Sequence, residues 1–457
     1  MRMYLLRAGL AAFLSAVPLA VSAQNSDYIV SAAGWGPAQN AAVVAAGGTV
    51  VFGHSGAGVA VVRSSAPDFA ARLRASQTVT NVQADRIVEW QQPLVGDLVD
   101  AQFTNTPNND RFFNNIQWAP QAVDAPAAWA EGCTGLGARV AILDGGIWNI
   151  HPDLAPNMDL ARSTSFVPGQ AFNTDTGTFW HGTHVAGIVA AVDNVANTNS
   201  GVIGIAPRAT LIGVKVLHGG SGTFGWVIQG ILYAATPIAQ GGGGADIINM
   251  SLGAVFAKND PDDRGLVASL NKAVNYADRF GVLVVSAAGN DAIDLDHSGN
   301  LISVPAQSGS GIAVSATGPI GFAIGNVNFD SPSSYTNFGN SAIHVAAPGG
   351  DYQLFGTPAG SANCTMATTN NSPLTAPCYV FDMVLSTNVG GWAWAAGTSM
   401  AAPAASAVAA IIKQKHPGIS LGALKTALAQ SSLDVGKPGN DPFYGKGWVN
   451  ALAACRQ

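Results

Sequence analysis

Four short apolar runs, Arg139–Leu143, Thr210–Val216, Asp246–Met250 and Val282–Ser286, are rich in β-branched residues and show no polar alternation. A strand with one wet face alternates; a strand buried on both faces does not. The runs therefore predict a parallel sheet covered by helices. Helical segments fall between them at His181–Val192, Thr223–Ala235 and Leu266–Phe280, as crossover connections require. The expected fold class is α/β, and ligand sites in such sheets gather where strands end at their carboxyl edge.

Chemistry-bearing residues stand at those ends. Asp144 closes the first run and is followed by Gly145-Gly146. A buried carboxylate needs a partner, because an isolated buried charge is costly. His181 opens the helix of His181-Gly182-Thr183-His184-Val185-Ala186-Gly187. Ser399, in Gly397-Thr398-Ser399-Met400-Ala401-Ala402-Pro403, precedes an Ala-rich helical run that stops at Pro417-Gly418. A hydroxyl in a first helical turn lies near unpaired N–H groups and a partial positive charge, which suits a nucleophile that generates an oxyanion. Asn290, after Ala288-Gly289, offers an amide to that oxyanion. Carboxylate, imidazole and hydroxyl together are the parts of an oriented nucleophile.

Competing motifs fail on composition. His181 and His184 have metal-ligand spacing, but Gly182 stands where a zinc protease places glutamate. No Gly-x-Ser-x-Gly elbow occurs. Gly241–Gly244 lacks the Lys-Ser/Thr of a phosphate loop. A net charge of −6 without a Lys/Arg cluster argues against nucleic acid as partner.

Arg2 and Arg7 precede an apolar run from Ala8 to Val21, and Val21-Ser22-Ala23 has the small residues of a cleavage site. Residues 1–23 read as a signal peptide, so the expected location is secreted, extracellular or periplasmic, with no membrane attachment after its removal. Four cysteines in that setting point to disulfides. Of three connectivities, Cys364–Cys378 with Cys133–Cys455 is preferred, the first stapling a polar loop within 351–391 and the second following by elimination. Asp27 to Glu89 reads as strand-helix-strand-strand-helix-strand, with Val79–Val88 as its last strand, and the polar stretch Gln91–Asp110 as a linker.

Asp144-Gly145-Gly146-Ile147, His181–Gly187, Asn249-Met250-Ser251-Leu252-Gly253, Ala288-Gly289-Asn290 and Gly397–Pro403 occur in the order Asp, His, Ser. In these motifs the chain resembles the subtilisin-type serine endopeptidases. The resemblance implies a three-layer subtilisin-like fold over 101–457, with a mostly parallel central sheet. It implies Asp144, His181 and Ser399 as the triad, and Asn290 as oxyanion donor. Gly220-Ser221-Gly222 and Ser251-Leu252-Gly253 would pair with substrate backbone, and Ser303 would floor the first specificity pocket. No acidic residue is evident there, so strong selection for Lys or Arg is not expected. Residues 24–100 are similar to the family's inhibitor-like propeptide, a βαββαβ module. The enzyme's own cleavage would then fall within 91–102. No catalytic cofactor is implied. A structural Ca²⁺ is, through Asp153 and the oxygen-rich loop Asp193, Asn194, Asn197 and Asn199. The expected partners are protein or peptide substrates and the propeptide, with a monomer as default. A silent scaffold on the same fold, or an esterase or ligase using the same acyl-enzyme, are the competing readings.

Overall fold

The computed structural model describes residues 26–90, 99–101, 115–174, 179–193, 201–367 and 373–457. The signal-peptide reading and most of the linker lie outside these residues.

The N-terminal module contains β1 (Ser26–Ser31), α1 (Pro37–Ala45), β2 (Gly48–His54), β3 (Val59–Ser64), α2 (Phe69–Ala75) and β4 (Asn81–Ala84). Its antiparallel sheet has the order β2-β3-β1-β4. Val30, Val62 and Val82 pack under Val43, Phe69 and Leu73 of the two helices. The expected last strand, Val79–Val88, is broken. The chain leaves the sheet after β4, and Ile87–Glu89 forms β5, which pairs outside the module. The break sits at Asp85, whose carboxylate accepts the Gly225 N–H at 3.1 Å. Alternation alone cannot show that a strand changes sheets. Val99–Ala101 (β6), within the expected linker, is also a strand.

The larger part follows with β7 (Arg139–Asp144), β8 (Thr164–Ser165), α3 (Phe179–Ala190), β9 (Thr210–Lys215), β10 (Ser221–Thr223), α4 (Phe224–Ala235), β11 (Ile247–Met250), β12 (Ala254–Ala257), α5 (Pro261–Arg279), β13 (Leu283–Ala287), β14 (Leu301–Val304), β15 (Ile312–Thr317) and β16 (Val345–Pro348). After these come the hairpin strands β17 (Asn363–Met366) and β18 (Leu374–Pro377), then β19 (Val384–Asn388), β20 (Gly391–Ala395) and α6 (Thr398–Lys415). The central sheet has the order β16-β15-β13-β11-β7-β9-β8, and its ladders are parallel.

Both faces of that sheet are covered, which is why its strands lack polar alternation. Val140 and Ile142 of β7 pack on the α6 side, against a cluster containing Ala401, Val408 and Ile411. Ala141 and Leu143 face the other way, toward Phe224, Ile228 and Leu270 of α4 and α5. Helix α5 begins five residues before the apolar periodicity does. Asp260 caps it, accepting from Asp262 N at 2.8 Å, and Pro261 takes the first position, where no N–H is needed. Both preferred disulfides, Cys133–Cys455 and Cys364–Cys378, are formed. The second closes the β17–β18 hairpin within the polar insertion.

Candidate active site

Four neighbouring strands deliver the site. Asp144 ends β7, His218–Gly220 follow β9, Ser251 follows β11 and Asn290 follows β13. The chain runs outward from β7 to β9 and later returns to lay β11 on β7's other side. Such a reversal leaves a crevice at the strand ends.

Asp144 is fully buried, and its carboxylate meets the His181 Nδ1–H at 2.9 and 3.1 Å while accepting Gly145 N–H at 2.7 Å. The buried Lys215, paired in register with Asp144, donates its ammonium to the Gly145 carbonyl. His181 reaches the carboxylate because Gly182 has no side chain; a Cβ there would lie 2.2 Å from the Gly146 carbonyl oxygen. His184 is a core residue whose ring bonds the Ala393 carbonyl at 3.0 Å. Burial drives its pKa down to about 3, so it stays neutral.

Ser399 stands in the first turn of α6. Pro403, four residues on, has no N–H to give the Ser399 carbonyl. The Ser251 hydroxyl supplies that bond instead, at 2.7 Å. Asn249 Nδ2 donates to Ser251 Oγ, and Ser406 Oγ donates to Asn249 Oδ1, both at 3.0 Å. This buried chain fixes the turn that carries Ser399. The Ser399 hydroxyl itself rests on the Ser251 carbonyl at 3.3 Å, too long for a strong O–H···O bond, and so is weakly committed.

Thr398 was not singled out from sequence, yet it decides which way Asn290 points. Asn290 Oδ1 accepts both Thr398 N–H at 2.8 Å and Thr398 Oγ1–H at 2.7 Å. The amide oxygen is thereby taken, and the Nδ2–H group turns the other way. Asn337 holds the same loop, donating to the Ala288 carbonyl and accepting from Asp291 N and Ile293 N, each at 3.0 Å. No local pattern around residues 337 or 398 signals these roles.

A small pocket beside Ser399 is lined by Leu252, Gly253, Ala254, Asn290 and Ser303, with Asp291 at its exposed rim. Asp291 corrects the expectation that no acidic residue lies there. Ser303 reaches the wall through the cross-strand pairing of β12 with β14, opposite Val255. Of the expected substrate-pairing residues, Gly220, Ser221, Gly222 and Gly253 are engaged by the chain itself. β5 pairs antiparallel with β10, Val88 opposite Gly222 and Glu89 opposite Ser221. Trp90 N–H donates to the Gly220 carbonyl at 3.1 Å, and its carbonyl accepts Gly253 N–H at 2.8 Å. Its buried ring lies against Phe224 and Phe256, and Nε1–H bonds the Gly222 carbonyl at 3.0 Å.

Of the expected cation ligands, Asn194, Asn197 and Asn199 lie outside the described residues, and Asp193 is exposed. Asp153 is fully buried among N–H donors. Among the described residues, no group of three or more His, Cys, Asp or Glu side chains could hold a metal. No helix among them is long and apolar enough to cross a membrane.

An oriented imidazole, a hydroxyl at a helix start and an amide in the same pocket, on the edge of a parallel sheet, are the parts a serine hydrolase uses. The family model described as the subtilase family matches residues 135–447. Subtilisin Savinase of Lederbergia lenta is 34% identical over 343 residues, covering 75% of this chain and 99% of the relative. M-protease of Shouchella clausii is 35% identical, covering 75% and 70%. The crystal structure of the epidermin leader peptide processing serine protease of Staphylococcus aureus superposes with a TM-score of 0.70 at 23% identity, covering 95% of this chain and 98% of that one. The chain belongs to the subtilase family and is a serine endopeptidase.

Proposed function

We propose that this subtilase is made as an exported precursor that matures by cutting itself. In this reading Ser399 Oγ adds to the scissile carbonyl and His181 takes its proton. Asp144, 2.9 Å from Nδ1, holds the tautomer and stabilises the imidazolium that forms. The oxyanion receives Asn290 Nδ2–H and Ser399 N–H, where one such donor is worth about 3–4 kcal/mol. His181 returns the proton to the departing amine, and water repeats the sequence on the acyl-enzyme. Nucleophile, base and charge all come from the chain, and no catalytic cofactor is required.

The observation that carries the precursor reading is the segment 87–90, made of β5 and Trp90. It lies between 220–223 and 253 and uses their backbone groups as a peptide substrate adding a strand would. The module (24–100) thus fills the groove as an intramolecular inhibitor, tied by Asp85 at the start of α4, Arg86 on Asp263 and Asn81 on the Gly265 carbonyl. Cleavage falls within 91–102, and the free enzyme acts on protein or peptide substrates. Intact mass of wild type beside Ser399→Ala tests this. Wild type should lose the segment ending in 91–102 and Ser399→Ala should keep it. Equal cutting of both would assign maturation to another protease.

A further inference from the structure

The subtilisin likeness suggests a structural calcium at Asp153, and the described groups around that carboxylate do not fit one. Asp153 Oδ2 accepts Trp392 Nε1–H at 2.7 Å, Gly201 N–H at 3.1 Å and Val202 N–H at 3.2 Å; Oδ1 accepts Gly201 N–H at 3.3 Å. Each of these partners is a donor, directing a positive hydrogen at the oxygens a cation would need. Calcium instead gathers six to eight oxygens, which are acceptors. His151 completes the arrangement as a neutral group. Its Nδ1 accepts Asp153 N–H at 3.0 Å, which leaves the proton on Nε2 for the Gly391 carbonyl at 2.8 Å. Its ring stands edge-on to Trp392 at 5.5 Å.

We infer that Asp153 and Trp392 form a metal-free clasp doing the structural work that a cation would otherwise do. The clasp joins three segments: the turn after β7, the stretch 201–202 leading toward β9, and the start of β20. β20 runs into Gly397 and the nucleophile-bearing α6, so the clasp anchors the strand from which Ser399 is presented. The indole N–H supplies a charge-assisted hydrogen bond to the buried carboxylate, where a cation would supply charge outright.

The test uses the full chain carrying Ser399→Ala, to prevent self-digestion, melted in millimolar calcium chloride and in excess EGTA. The two melting temperatures should coincide. Trp392→Phe keeps the ring and removes the donor, and should lower the melting temperature by on the order of 2–4 °C in both media. A calcium-induced rise that survives Asp153→Asn supports the clasp, because it places the cation elsewhere. A rise that Asp153→Asn abolishes overturns it, as does a Trp392→Phe protein that melts with its parent. The calcium comparison on the parent protein stands even if Trp392→Phe does not fold.

Discussion

Replacing Thr398 by valine removes one hydroxyl, keeps the side-chain shape and leaves Asp144, His181 and Ser399 in place. Asn290 Oδ1 would retain the Thr398 N–H and lose the 2.7 Å bond from Oγ1, while Gly289 N–H would lose its 3.1 Å acceptor. A neutral hydrogen bond of this kind is worth about 1 kcal/mol net. Asn290, in its proposed oxyanion role, is then held by one donor instead of two. The expected loss is about five- to tenfold in kcat, at about 1.4 kcal/mol per factor of ten, with KM little changed. Asn290→Ala, which deletes the donor itself, should lower kcat by about 10²–10³. The discriminating assay is steady-state hydrolysis of a chromogenic peptide by the mature enzyme, run on both single variants and the double variant. If Thr398 acts through Asn290, Thr398→Val costs almost nothing further once Asn290 is alanine. A second five- to tenfold loss in that background would refute the reasoning, as would a rise in KM at constant kcat.

Ser251→Ala should destabilise the protein by about 1–3 kcal/mol, because the Ser399 carbonyl then has neither a side-chain donor nor a helical one. Adding Pro403→Ala restores an N–H four residues on and should recover part of the loss in a denaturant titration; no recovery would dissociate the two residues. Asp85 carries a pH signature. Burial at the module interface raises its pKa to about 6, outweighing hydrogen bonds from Thr223, Gly225 and Arg86, with the charge of Asp27 adding to the rise. A carboxyl whose docked pKa is raised favours docking most when protonated. Docking should therefore weaken as pH climbs from about 4 to about 6, by roughly 3 kcal/mol at most. Asp85→Asn in the Ser399→Ala precursor should remove that component from the melting temperature between those pH values, and an unchanged slope would count against the assignment.

Four of the seven sheet strands, β7, β9, β11 and β13, were legible because burial on both faces leaves a mark in each, and Val140–Leu143 carry it within four residues. The candidate site residues were legible because each ends such a strand or lies near a helix start within a short motif, so local order implied spatial order. The two disulfides followed from counting four cysteines and preferring the pair that staples the polar loop, the other pair coming by elimination. Other features leave no local mark. Thr398 and Asn290 are 108 residues apart, Ser251 and Ser399 148, and Asp153 and Trp392 239. A hydrogen bond across such a distance has no periodicity, and its partners are ordinary Thr, Ser and Trp residues until folding brings them together. The same holds for Val79–Val88, whose alternation describes a strand without saying which sheet it joins. Pattern and motif determined the centre of the sheet and brought Asp144, His181, Asn290 and Ser399 forward as the candidate site. The tertiary structure alone decided how the asparagine amide is turned, what completes the helix at Pro403, and that β5 pairs with β10 in the groove. Those outcomes depend on the pairing of polar groups across the fold, which exists only once the apolar layers have closed around them.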